Sequence, residues 1–130
     1  MPVTWKISDD LIWLQSGEEA SFQEWRQAIE AAFEDPVYRP GMGVIHDWRR
    51  LRTPPSPDEI HMRAAYVAEL DTRRWALVVR DDVGYGMGRM AEIVTSIPPL
   101  KASALPFEVR VFRDLTEAEA WARGLSEEED

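Results

Sequence analysis

Short apolar runs alternate with capped, helically spaced stripes along most of this chain, and that alternation restricts its fold more than any other feature. Val3-Thr4-Trp5-Lys6-Ile7 and Leu11-Ile12-Trp13-Leu14-Gln15, rich in β-branched and aromatic residues, flank Ser8-Asp9-Asp10 and predict a hairpin. Ser21-Phe22-Gln23-Glu24 has the form of a capping box, in which the Ser hydroxyl accepts from an early helical N–H while the Glu reaches back to the cap. Behind it Phe22, Trp25, Ile29, Ala32 and Phe33 recur at three and four residues, the spacing of one buried helix face, until Asp35-Pro36 ends the helix.

Residues Met42 to Trp48 form a mostly apolar run without clean alternation, as expected of a central strand covered on both faces. Ser56-Pro57-Asp58-Glu59 reads as a second capping box, with Pro at the first helical position, and Ile60, Ala64, Val67 and Ala68 supply a buried face. Trp75-Ala76-Leu77-Val78-Val79 is the next strand. Asp81-Asp82 are candidate caps for a helix whose Val83, Met87, Met90, Ala91 and Val94 keep helical spacing, although glycines at 84, 86 and 88 weaken its first turns. Ile97-Pro98-Pro99-Leu100 breaks that helix, and Phe107 to Phe112 alternates with period two, predicting a half-exposed strand near an edge. Asp114 or Thr116 caps a last helix with Leu115, Ala118, Trp121, Ala122 and Leu125 facing inward. The order is ββαβαβαβα. Because parallel neighbours need a helix-sized crossover, this order predicts an α/β fold: an N-terminal β-hairpin, then βα units forming a mainly parallel five-stranded sheet with about four helices.

A length of 130 residues suits one hydrophobic core, so residues 1–125 are expected to form a single domain, with the acidic run 126–130 as a solvated tail. Fifteen basic against 24 acidic side chains leave a net charge of −9, which repels a phosphate backbone and argues against nucleic-acid binding. The absence of Cys removes disulfides, thiolate metal sites and thiol nucleophiles, and fits a reducing compartment. No basic leader precedes an apolar core, and no run is long enough to span a bilayer. A cytoplasmic protein without integral membrane insertion is the expectation.

Arg74-Trp75-Ala76-Leu77-Val78-Val79, Gly86-Met87-Gly88-Arg89-Met90, and Phe107 to Asp114 with Ala118, Ala120 and Trp121 together resemble the SpoIIAA-like group, which includes STAS domains and related STAS/SEC14-like bacterial proteins. Val44-Ile45-His46-Asp47 with Leu51 is similar to that group's strand ending in Asp and its following Leu, so the resemblance takes in most of residues 42–125. It implies a SpoIIAA-like sheet of consecutive strands and, taken together with the absence of catalytic groupings, the expectation of a non-enzymatic regulatory or protein-interaction module. Some members of the group are associated instead with small apolar ligands. The phosphorylatable Asp-Ser-Ser/Thr-Gly motif of the group's anti-sigma-factor antagonists is missing here. Ser56 lies in a loosely similar place, but Pro57 follows it and a longer basic loop separates it from Asp47.

Arg49, Arg50 and Arg52 concentrate positive charge where the central strand emerges, and guanidiniums there suit an anion or an acidic partner. Pairing with nearby acids is the competing role. Ser56 is a candidate regulatory phosphorylation site, since a phosphate would sit at a helix N-terminus beside those arginines, against a plain capping role. Met62, Tyr85, Met87 and Met90 are candidates to line a pocket for a small apolar or amphipathic ligand, against ordinary core filling. Gly84 to Gly88 lacks the ending of a phosphate loop and is read as a close-packing helix start. The only imidazoles, His46 and His61, have no third ligand at a recognised metal spacing, and no nucleophile elbow supports a Ser-His-Asp triad. No catalytic residue, metal or cofactor is therefore assigned. The expected partners are another protein, a second copy of the chain, or a small apolar ligand.

Overall fold

The computed structural model describes residues 3–96 and 108–124. Its elements are β1 (Val3–Ser8), β2 (Leu11–Ser16), α1 (Phe22–Phe33), β3 (Gly43–Asp47), α2 (Pro57–Val67), β4 (Arg74–Val78), α3 (Asp82–Thr95), β5 (Glu108–Phe112) and α4 (Leu115–Ala122). The proline break expected over 97–100, Phe107, Leu125 and the acidic tail lie outside the described residues.

The five strands lie in chain order, β1-β2-β3-β4-β5. The first pair is antiparallel and the remaining three are parallel. Ser8 pairs with Leu11, so Asp9 and Asp10 alone make the hairpin turn, both at positive φ. Short polar side chains tolerate this left-handed backbone, whose twist matches that of the flanking strands.

Consecutive parallel strands joined by crossovers of one hand must carry all their connecting helices on one face. Accordingly Ile12, Leu14, Val44, Trp75 and Leu77 pack with residues of α1, α2 and α3 in the larger core cluster. Leu11, Ile45, Ala76 and Val78 point the other way, onto Ala118, Trp121 and Ala122 of α4. β3 sits at the sheet's centre, and all five of its residues are buried.

Two helices are seated differently from the sequence expectation. Ser56 caps α2 by accepting from the Glu59 N–H at 3.2 Å, but the second capping box is not closed, because Glu59 turns its carboxylate to Arg63 at 2.7 and 3.1 Å. Arg63, rather than Ala68, completes the buried face with Ile60, Ala64 and Val67. In α3 the buried face is Gly84, Gly88, Ala91 and Thr95, while Val83 is exposed and Met87 and Met90 are only partly buried. A Cβ on Gly88 would lie 2.4 Å from Val111 Cγ2, so small residues are what let α3 close onto β5. Glu92 of α3 also accepts from the Val111 N–H at 2.6 Å, occupying a donor on the edge strand β5.

Candidate functional site

Period-two alternation along β3 sends Ile45 toward α4 and Val44 and His46 toward the three crossover helices. His46 is thereby fully buried in an aromatic cluster. Trp25 of α1 stacks on it at 6.1 Å between ring centroids, and Trp48 and Trp75 meet it edge-on at 5.8 and 6.3 Å.

Hydrogen bonding fixes the state of this imidazole. An indole N–H can only donate, so the 3.2 Å contact from Trp48 Nε1 makes His46 Nδ1 an acceptor and leaves the proton on Nε2. That proton is directed to Ser16 Oγ at 2.8 Å. Burial, with Arg63 nearby, holds His46 well below its ordinary pKa against the opposing pull of Asp47. A neutral imidazole presenting N–H to a serine cannot take that serine's proton, so the Ser16–His46 pair is a structural link and not a nucleophile with its base. Ser56 is a helix cap, and His61 is exposed with Nδ1 2.9 Å from the Pro57 carbonyl oxygen. Among the described residues no group of three or more His, Cys, Asp or Glu is placed to hold a metal ion.

Between α2, α3 and the sheet lies a cavity of about 30 Å³, walled by Trp25, Trp48 and Trp75 beside His46. α2 contributes Arg63 and α3 contributes Ala91 and Thr95. Arg63 is the unusual member. Its side chain is only 8% exposed, its guanidinium carbon lies 4.6 Å above the Trp25 ring, and burial lowers its pKa against the raising effect of Glu59. Nε and Nη2 both donate to Glu59 Oε2, but the buried Nη1 has no hydrogen-bond partner, nor does the buried Nε1 of Trp25. Leaving such donors unmade costs about 1–3 kcal/mol each. Thr95 spends its hydroxyl proton on its own helix, at the Ala91 carbonyl.

Arg63 also borders an open groove of about 450 Å³ between the β2–α1 connection and the start of α2. Ala20, Leu51, Pro54 and Pro55 give this groove its apolar lining. Arg52 spans it by pairing with Glu18 at 2.8 Å and Glu19 at 3.1 Å.

The other sequence candidates are dispersed around this centre. Arg49 closes a two-pronged pair on Asp47, with Nε to Oδ1 and Nη2 to Oδ2 both at 2.9 Å. Burial pushes the Asp47 carboxyl up, but hydrogen bonds from the Arg49 side chain and backbone and from Gln15 leave it below its ordinary value. Arg50 is exposed in the same loop. The arginine cluster is thus largely neutralised by the protein's own acids. Met62 stands on the outside of α2, 52% exposed, and Tyr85 packs under the Arg113 guanidinium at 4.7 Å. Met87 and Met90 pack against the larger core without lining the cavity. Of the residues that do line it, Trp25 is read from sequence only as part of a buried helix face and His46 only as an imidazole without a metal set, while Arg63 and Thr95 are not singled out. A charged residue on the inward side of the α2 stripe, one position before Ala64, was the one available signal.

No family model matches the sequence, and no curated protein does. Among solved structures, the chain is similar to an uncharacterized protein of the DUF3478 family with a SpoIIAA-like fold from Shewanella loihica PV-4. The two share 14% identity at a TM-score of 0.60, over 92% of this chain and 91% of that one. The fold is SpoIIAA-like: a five-stranded, mostly parallel sheet opened by an antiparallel hairpin, with four helices among the described residues. No described helix is long and apolar enough to cross a membrane.

Proposed function

We propose that this chain is a non-enzymatic binding module that carries or senses a small apolar or amphipathic molecule held against the aromatic cluster beneath α2 and α3. The observation that supports it is the buried Arg63 guanidinium, stacked on Trp25 beside a cavity with one donor unmade. An apolar wall with a few convergent polar groups is the usual composition of a small-molecule site. The cavity as it stands has room for about a water molecule. A ligand therefore lodges at most a small group there and extends into the adjoining groove, or displaces α3 from its seat.

A native mass spectrum of freshly purified protein tests this directly. The expected result is a defined added mass on the folded species that is lost on denaturation, together with a rise in melting temperature when the identified compound is added back. Bare protein, unstabilised by a panel of small amides, esters, acids and alcohols, rejects the reading.

A second reading, a regulatory module that docks another protein, is favoured by the exposed apolar side chains Met62, Val83 and Ile93 on α2 and α3. Docking through Arg49, Arg50 and Arg52 and phosphorylation of Ser56 belong to it. Replacing the three arginines with Ala then abolishes a measured association without unfolding the domain. Retained association counts against that face.

A further inference from the structure

The charge and donor balance around Arg63 specifies the head group of the ligand, an inference that rests on the small-ligand reading above. Two buried donors, Arg63 Nη1 and Trp25 Nε1, have no hydrogen-bond partner; the Arg63 guanidinium carbon lies 4.6 Å from the Trp25 ring centroid, and both residues line the same cavity. Among the other polar groups of the cavity, the two His46 nitrogens, the Trp48 indole N–H and the Thr95 hydroxyl already have partners. His46 Nδ1 accepts from Trp48 and its Nε2 faces Ser16, and the Thr95 hydroxyl donates to Ala91. What these two donors lack is an acceptor.

That acceptor carries no charge. Glu59 already neutralises Arg63 through two hydrogen bonds, so an anion at Nη1 would place a second negative charge in a buried site holding one positive charge. The groove that Arg63 also borders points the same way, with three carboxylates, Glu18, Glu19 and Glu59, against two guanidiniums, Arg52 and Arg63. A cationic head would supply donors where donors are already in excess. The cavity of about 30 Å³ is the size of a single small polar group, and the groove of about 450 Å³, with Leu51, Pro54 and Pro55 on its wall, is large enough for the body of a ligand.

We propose that the Arg63–Trp25 pocket binds the neutral carbonyl group of a small amide, ester or ketone, its oxygen accepting from Arg63 Nη1 with the Trp25 indole N–H as second donor. Selectivity against the matching carboxylate comes from Glu59.

The test titrates propionamide and propionate, near-isosteres differing in charge, into ¹⁵N-labelled protein while following the indole N–H signals, with Trp25 assigned through Trp25→Phe. Propionamide is expected to shift the Trp25 signal saturably at millimolar concentration, and propionate to leave it in place. Arg63→Lys, which keeps the charge but replaces the guanidinium fork, is expected to lose the propionamide response. Glu59→Gln removes the opposing charge at a more exposed position, and is expected to raise propionate affinity relative to propionamide by at least about tenfold. That exchange of preference is something a merely structural Arg63–Glu59 pair would not produce. Equal or tighter binding of propionate by the unaltered protein overturns the neutral-head assignment while leaving small-molecule binding intact. Response to neither compound also overturns it, and the mass spectrum then separates the two ideas: a retained ligand of other chemistry keeps the binding-module reading, and bare protein removes both.

Discussion

Gly88→Ala is expected to destabilise the protein, although Ala is by far the better helix former. Gly88 lies within α3, where exchanging Gly for Ala ordinarily gains about 1 kcal/mol. Here the new methyl would meet Val111 Cγ2 at 2.4 Å and Val111 Cβ at 2.7 Å, against about 3.5–4.0 Å for unstrained carbon pairs. Rotating the valine moves Cγ2 but not Cβ, which is fixed to the backbone of β5. Relief therefore requires α3 to lift by about 1 Å. Overpacking of this kind costs about 1–3 kcal/mol, and the rigid partner places it in the upper half of that range. A net loss of about 1–2 kcal/mol remains, or roughly 3–8 °C in melting temperature for a domain of this size. Gly86, two residues earlier in the same helix, is the internal control. It is exposed, and a Cβ there meets nothing within 4 Å, so Gly86→Ala should gain up to about 1 kcal/mol. Urea denaturation of the three proteins, compared at a common slope, measures both differences. A Gly88→Ala protein as stable as the parent would refute the seating of α3 on Val111.

Three further outcomes follow from named contacts. Because the buried His46 stays neutral while the unfolded imidazole takes up a proton below its ordinary pKa of 6.5, its contribution is complete above that pH and is lost as pH falls, by up to about 1.4 kcal/mol per unit. Denaturation midpoints from about pH 7 to 5 should show this slope, and His46→Gln should flatten it; equal slopes would show that His46 protonates freely in the fold. The Asp47 contribution, present above its ordinary pKa of 3.8 and lost as pH falls through its lower folded value, lies outside that window. Gly43→Ala should destabilise by at least about 2 kcal/mol, since its Cβ would sit 2.4 Å from the Ala122 carbonyl oxygen, a backbone atom that no rotamer can move; thermal unfolding checks it. Glu92→Ala should remove about 1–2 kcal/mol and expose the Val111 amide, so hydrogen exchange at that amide should accelerate while exchange in β3 changes only with global stability.

Order and topology were legible because their signals are local. Each strand run and each cap is a property of a few consecutive residues, and the crossover rule turns their order into a sheet. The partial failures come where a side chain's partner is distant in sequence. Ser56-x-x-Glu59 has the pattern of a reciprocal box, yet Arg63, one turn further on, takes the Glu59 carboxylate because a guanidinium buried on Trp25 has greater need of it. In α3 the hydrophobic spacing of Val83, Met87 and Met90 suggested the inward face. The sheet instead approaches so closely, Val111 of β5 at Gly88 and Val79 at Gly84, that small residues take the inward face, and the larger side chains turn to the flank. The cavity was invisible for the same reason, since its walls come from α1, α2, α3, β3, β4 and β5.

These two departures from pattern also account for the cavity. Gly88 lets α3 close onto β5, whereas the Arg63 guanidinium of α2 lies over Trp25 of α1. Between these helices the largest wall groups are three indoles and an imidazole, planar and held by stacking and edge contacts, which reshape to fill a wedge less readily than the aliphatic chains beside them. The remaining space is therefore set by the seat of α3 and the stack of Arg63. A ligand that widens it must work against one of the two, and α3 is the costlier because its close contact is with the backbone-anchored Val111. Movement at Arg63 needs only a guanidinium to slide on an aromatic face while Glu59, on the same helix, follows it. For the ligand proposed above, the entry route that would disturb least is the groove that Arg63 already borders, past the Arg52 pairs with Glu18 and Glu19, whose exposed partners hold with about 1 kcal/mol or less each.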